Sequence, residues 1–449
     1  MQTGLAVLVC FFVVICIYSF SLVFLQNIDI SDFRGRGMLK LYNSMSRAKE
    51  AFKPRSKTEV RVFTCGPSIY KRPHIGNYRT FLYEDVLIKF LEYSGFRVKR
   101  VINFTDVEDK SIKEAKELHK NVSEVVDDCS KFFFGETELL KIKLPSHIPA
   151  SSTCVDSAVR LIKILLQKGI AYEFKGSIFF DPLKFKDFGK LFHLDMSNWP
   201  KKKKHFWKDN YDGNHWHLGD FILWHGYKEG AKPFWDTEIG KGRPSWHVQD
   251  PAIIHQHLGS TIDINCGGID NIYRHHDYNI AIMESVTGQR FAHYYLHGEH
   301  LLVDGRTMSK SKGNVLYPDH IISGDVIPEH LRFFLIYTPY RNKLNYTRRK
   351  FLKSVEYLNS IRDAVQILCS VGKKGETSGG EINSLIMRIE AVFEEKLNDN
   401  LDVKGAIDSI YKILSDLLIL QKRELLTEED SKAIKSNIMR IDSVLGILL

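Results

Sequence analysis

The run Val60-Arg61-Val62-Phe63-Thr64-Cys65, ending at Gly66-Pro67, and the stretch that follows it constrain the fold more than any other part of the chain. Residues 60–66 read as a buried parallel strand. From Thr80 to Tyr93 apolar residues recur at three- and four-residue spacing (Leu82, Val86, Leu87, Phe90, Leu91), and Gly95 stops that helix. Residues 98–104 read as the next strand. Strand, helix, strand predicts a right-handed parallel crossover, and so an α/β fold with a doubly wound, Rossmann-like sheet. Helical stretches are expected over 108–142 and 154–169, an irregular stretch over 170–245, and renewed strand and helix signals over 246–303. From Pro328 onward the pattern is helical, interrupted by a polar, Gly-containing linker from Lys373 to Gly380.

The 449 residues suffice for two or three domains. With 44% hydrophobic and 26% charged residues the composition is that of a globular protein. A net charge of +9 suits a polyanion such as RNA without demanding one. Seven scattered cysteines with no CxxC pair point to a reducing compartment. At the N-terminus, Leu5 to Leu25 carries no charge and is long enough to span a bilayer. Arg34, Arg36, Lys40, Arg47 and Lys49 behind it would leave the remainder on the cytoplasmic side. A competing reading starts the folded protein at Met38 and makes residues 1–37 an upstream extension from a misplaced start. The expected location is therefore cytoplasmic, with a membrane anchor through residues 5–25 as the variant.

Two short motifs carry chemistry. His74-Ile75-Gly76-Asn77 stands where a helix follows the first strand; Thr307-Met308-Ser309-Lys310-Ser311 stands in a polar loop. Alone, His74 reads as a surface-turn histidine and Lys310 as a solvated loop lysine. Together, in this order and at this separation, they suit a nucleotide. A histidine and backbone N–H groups at a helix start can bind phosphate, Gly76 admits close approach, and Lys310 can neutralise a departing pyrophosphate. Gly267, Gly268 and Asp270 form a second strand-to-helix turn, where glycines admit an adenosine and Asp270 can accept from a hydroxyl.

The two motifs resemble the HIGH and KMSKS signatures of class I aminoacyl-tRNA synthetases. More narrowly, Thr64-Cys65-Gly66-Pro67-Ser68-Ile69-Tyr70, Asn103-Phe104-Thr105-Asp106-Val107-Glu108-Asp109-Lys110, Gly242-Arg243-Pro244-Ser245-Trp246-His247, Gly267-Gly268-Ile269-Asp270 and His275-His276-Asp277 resemble the cysteinyl-tRNA synthetase family, in the family's order. The resemblance implies a catalytic domain over 38–327 with an inserted connective region at about 140–245, then a helical C-terminal domain over 328–449. It implies ATP with Mg2+, cysteine and tRNA(Cys) as partners, and a monomer. It gives catalytic roles to His74, Asn77 and Lys310. ATP contacts fall to His74, Gly76, Asn77, Gly267, Gly268, Asp270, Met308, Ser309, Lys310 and Ser311; cysteine contacts fall to Cys65, Gly66, Thr105, Trp246 and His247.

The family binds the substrate thiolate through a zinc ion held by Cys, Cys, His and Glu, which separates cysteine from serine where an apolar pocket cannot. Here Cys65 and His275 match the first and third ligands. Asp250 stands at the second position and Asn279 at the fourth. The remaining Cys65/Asp250/His275 set is harder and weaker, so it is expected to hold Zn2+ loosely, to hold another divalent ion, or to hold none. Cys266, where the family has glycine, reads as a small buried residue. Asn77 and Thr307 depart from HIGH and KMSKS. Lys201-Lys202-Lys203-Lys204 with Phe206, Trp207 and Trp216 reads as a solvated loop before an RNA contact. The sequence ends near where the family's last anticodon-reading domain would begin. The expected function is a cysteine–tRNA ligase. The alternatives are a cysteine-adenylating ligase that passes cysteine to a small amine, and a non-catalytic paralogue.

Overall fold

The computed structural model describes residues 37–208, 218–309, 313–375 and 379–449. At its centre lies a parallel sheet of β1 (Glu59–Thr64), β2 (Arg97–Ile102), β3 (Ile262–Gly268) and β4 (Ala292–Gly298), in the spatial order β4-β3-β1-β2. Helix α1 (Ile75–Tyr93) connects β1 to β2, and α3 (Asp277–Thr287) connects β3 to β4. β1 and β3 are neighbours, yet their crossovers leave in opposite directions. That is the switch point at which doubly wound sheets bind ligands, beyond the carboxyl ends of the strands.

Both faces of the sheet are covered, as a parallel sheet requires. Val60 and Val62 of β1, with Ile264 and Leu296, share a core with Leu82, Val86 and Leu87 of α1. Phe63 and Val101 point the other way. They share a second core with Ile162 of the helix Val155–Gln167, Ile253 of α2 (Trp246–His257) and Ile280 of α3. Each fully buried side chain of this size contributes about 1.5–3 kcal/mol. A hairpin, Lys40–Asn43 with Ala48–Ala51, closes the β4 edge: Asn43 Oδ1 accepts from Tyr295 N at 3.0 Å and Ser44 N donates to Tyr295 O at 2.8 Å.

The stretch expected to be irregular contains a second sheet. Its strands Ala171–Phe174, Ser177–Phe180, Asp220–Gly226 and His205–Phe206 are joined by Gly242–Pro244. Several of these strands are too short to show a two-residue period, and the lysine run between them hides what pattern there is. From Pro328 onward the described residues form five helices: Pro328–Tyr337, Arg348–Leu368, Glu381–Asn398, Val403–Lys422 and Glu428–Leu445. Buried Arg332 ties the last of them to α1. Its guanidinium donates to Leu445 O at 2.5 Å, Leu140 O at 2.7 Å and Asp85 Oδ2 at 2.6 Å.

The expected membrane attachment requires correction. Among the described residues no helix is long and apolar enough to cross a membrane. The span proposed for it, residues 5–25, lies outside the described residues.

Candidate active site

The helix that starts at Ile75 begins five residues earlier than its apolar period suggests, because His74 supplies the cap. Its Nδ1 accepts from Gly76 N at 3.1 Å and Asn77 N at 3.3 Å, while Asn77 Oδ1 accepts from His74 N at 3.0 Å. This reciprocal capping box satisfies otherwise orphaned N–H groups and is worth about 0.5–2 kcal/mol. With Nδ1 accepting, the ring proton sits on Nε2. Burial holds the His74 pKa below its ordinary value, so the ring is neutral and Nε2–H is a donor. A Cβ at Gly76 would come within 2.7 Å of the Met308 methyl and 3.0 Å of the His74 ring, so any side chain there would push on both.

The two signatures meet in space. Ile75 N donates to Leu316 O at 3.0 Å, and Arg72 Nη1 to Asp319 Oδ2 at 2.9 Å. Asn314 fixes the near end of the second loop: its Oδ1 accepts from Ser309 N at 2.9 Å and its Nδ2 donates to Thr307 O at 3.1 Å. Lys310 and Ser311 lie outside the described residues.

A cavity of about 540 Å³ opens at the switch point. Its walls bring together Cys65, Gly66, His74, Asn77, Trp246, Gly268, Asp270, His275, Met308 and Ser309. Gly76, Gly267, Thr105, His247 and Asp250 do not line it and stand behind the lining residues. Gly267 is held on both sides by the Tyr83 hydroxyl, which accepts from Gly267 N at 3.1 Å and donates to Gly267 O at 2.8 Å. Asn103 organises the amino-acid side. Its Oδ1 accepts from Gly66 N at 2.6 Å; its Nδ2 donates to Thr105 Oγ1 at 3.1 Å and Asp250 Oδ1 at 2.7 Å. A Cβ on Gly66 would fall 1.9 Å from Asn103 O, so the close approach of the two segments excludes any side chain. Trp246 stacks flat on His275, with centroids 3.9 Å apart and planes 1° from parallel. His247 is buried edge-on against Tyr278 and Phe221.

The soft-metal side differs from the expected set. Among the described residues, the group whose donor atoms all lie within 4.8 Å of one another is Cys65, His275 and His276. Cys65 Sγ is 3.1 Å from His276 Nε2. Asp250 Oδ1 accepts from Asn103 Nδ2 at 2.7 Å, and its Oδ2 lies 2.7 Å from His275 Nε2 without an aligned hydrogen bond. Asn279 is buried, neutral, and has neither amide atom hydrogen-bonded. Burial pushes the Cys65 thiol pKa well up, and the Asp250 charge adds to it; a nearby cation is what would favour the thiolate. Burial also drives His276 well below its ordinary value, so its ring is a neutral donor. A thiol with neutral imidazoles suits a zinc-class ion. The clustered donors Cys65, His275 and His276 therefore fit such a metal. His276 and Asn103 were missed as site residues. Both stood inside family-like segments, but only side-chain geometry separates them from their neighbours.

Comparison with known proteins agrees with this geometry. Residues 51–356 match the family of tRNA synthetases class I (C) catalytic domains. The chain is 34% identical over 414 residues to the cysteine–tRNA ligase of Chlamydia pneumoniae, covering 91% of this chain and 86% of that one. It is 36% identical over 362 residues to that of Brachyspira hyodysenteriae (80% and 75% covered) and 35% identical over 396 residues to that of Methanosarcina mazei (84% and 80%). Among solved structures, methionyl-tRNA synthetase of Mycobacterium tuberculosis bound by methionyl-adenylate matches with a TM-score of 0.66 at 14% identity, over 88% of this chain and 92% of that one. A leucyl-tRNA synthetase complex from Agrobacterium radiobacter matches at 0.62 and 11% identity, covering 88% and 85%. These two structures share the fold. The chain belongs to the class I aminoacyl-tRNA synthetases and, within them, to the cysteine–tRNA ligases.

Proposed function

We propose that the cavity joins cysteine to ATP with Mg2+ and hands the activated cysteinyl group to tRNA(Cys). A cysteine carboxylate oxygen attacks the α-phosphorus and pyrophosphate leaves; a ribose hydroxyl at the tRNA 3′ end then attacks the carbonyl and AMP leaves. The observation that carries this reading is a single cavity lined by both His74/Asn77 and Cys65/Trp246/His275. His74 Nε2–H and the positive end of the α1 dipole stabilise phosphate charge, and the Lys310 ammonium neutralises the departing pyrophosphate. Gly268 admits the adenosine, and Asp270 accepts from a ribose hydroxyl. Gly66 and Trp246 form the amino-acid pocket, held from behind by Asn103, Thr105 and His247. A zinc ion held at Cys65 and His275 would supply a soft partner that binds a thiolate and not a serine hydroxyl.

In the same reading residues 38–327 form the catalytic domain, with the insertion at about 140–245, and 328–449 the helical C-terminal domain, in a monomer. The test is ATP–pyrophosphate exchange driven by cysteine. Exchange that requires cysteine and collapses in Lys310→Ala supports the assignment. Exchange unchanged in Lys310→Ala removes that loop from the mechanism, and no cysteine-dependent exchange in the parent protein removes the reading.

A further inference from the structure

We propose that this chain holds its metal through Cys65, His275 and His276, and that Asp250, at the family's second-cysteine position, orients His275 in place of ligating. The proposal rests on the reading of the cavity as a cysteine-activating site and goes on to assign its donors.

Three observations carry it. The three donors are buried and clustered within 4.8 Å. Zinc–sulfur and zinc–nitrogen bonds of about 2.3 and 2.0–2.1 Å place tetrahedral donors about 3.5 Å apart, so the cluster is within roughly an ångström of a closed site. Second, Asp250 Oδ1 accepts from Asn103 Nδ2 at 2.7 Å, and its Oδ2 lies 2.7 Å from His275 Nε2, which puts the carboxylate against that nitrogen of the ring although the contact is not aligned as a hydrogen bond. That leaves His275 Nδ1 buried and without a hydrogen-bond partner, on a ring only 3% exposed. A carboxylate on one imidazole nitrogen with the other nitrogen bare is how metal-binding histidines are oriented. Third, His276 is held in the same way. Its Nδ1 is 2.8 Å from His297 Nε2, and His297 Nδ1 is 2.8 Å from Ser44 Oγ, which leaves Nε2 for the Cys65 side. Gly267 makes room for this ring, since a Cβ there would come within 2.9 Å of it.

The local backbone bends to suit. The chain leaves helical angles at Tyr273 (φ −90, ψ 140) and Arg274 (φ 73, ψ −46), just before the two histidines. A positive φ on a bulky arginine is strained and persists where the surroundings enforce it. With one thiolate and two neutral imidazoles, a divalent cation keeps net positive charge, which attracts a further thiolate. Three protein donors leave one tetrahedral position open, the arrangement of zinc sites that bind substrate.

X-ray absorption on zinc-loaded full-length protein tests the donor set without any variant. One sulfur and two imidazoles are expected, rising to two sulfurs on adding cysteine; one imidazole with a carboxylate overturns the assignment. Zinc affinity gives the second readout, with circular dichroism to confirm folding. His276→Ala should weaken binding at least about 100-fold, Asp250→Asn about 10–100-fold, and Asn279→Ala hardly at all. Unchanged affinity in His276→Ala, complete loss in Asp250→Asn, or no zinc uptake by the parent protein refutes the proposal. Cysteine-dependent exchange separates the two claims. Exchange with the wrong donor set sinks only this inference; the right donor set without exchange sinks the functional reading.

Discussion

The nucleotide side and the thiol side of the cavity have both departed from the family pattern, but in different ways. On the nucleotide side the changed residues are tied into the local backbone. Asn77 replaces a histidine and still closes the capping box on His74 N at 3.0 Å, while Thr307, in place of lysine, still gives its carbonyl to Asn314. On the thiol side the changed residues take new partners. Asp250 turns to Asn103 and His275, and Asn279 makes no hydrogen bond with either amide atom. The reason is physical. Phosphate is recognised by N–H groups, many of them backbone, so side chains there can be exchanged for others that hold the same backbone. A thiolate is recognised by a soft ion, and an ion needs particular donor atoms.

Substitutions can break this contrast, and the largest effect belongs to the nucleotide side. Lys310→Ala should lower the exchange rate about 10²–10³-fold, the loss typical of a charge-stabilising donor, with the Kd for cysteine unchanged. Cys65→Ser should reduce kcat/KM for cysteine about 100-fold while leaving the KM for ATP within twofold. If ATP binding falls equally, the two sides are not separable. Trp246→Ala removes the ring stacked on His275 and should raise the KM for cysteine roughly tenfold. Asn77→Ala should cost about 1 kcal/mol of stability, seen in urea unfolding, with exchange down less than about tenfold. A larger loss of exchange would make Asn77 a direct phosphate contact.

A pH dependence arises from outside both sides. Glu84 of α1 is fully buried, with Arg100 Nη2 3.7 Å away, and burial raises its pKa from 4.5 to about 8. The folded state therefore binds the proton more tightly than the unfolded state. The stability this gives is complete below about pH 4.5 and is lost as pH rises through about 8. Glu84→Gln should flatten that slope in unfolding experiments run between pH 5 and 9. A slope that survives the substitution assigns it elsewhere.

Much of this was legible in the sequence because the signals are local. The apolar run at 60–65 and the period of 80–93 specify a strand and a helix by themselves, and the β-α-β order then specifies the sheet. The apolar period of α1 begins only at Thr80, and it was the His74 motif that marked the helix start at Ile75, although histidine is not among the usual Ser, Thr, Asp or Asn caps. The strands between 171 and 244 were missed because they are short and owe their order to tertiary pairing. At the site, matching positions one by one led to Asp250 and Asn279 as the places to look. It could not show that His276, one residue beyond the expected ligand, faces Cys65, because adjacent side chains are told apart only by the bend at Tyr273 and Arg274.

The most direct test charges total tRNA with labelled cysteine and labelled serine side by side, using zinc-loaded full-length protein. Cysteine attached to tRNA(Cys), with serine disfavoured by more than about 10³-fold, is the predicted result. Equal charging of the two amino acids, or charging of neither, would contradict the account.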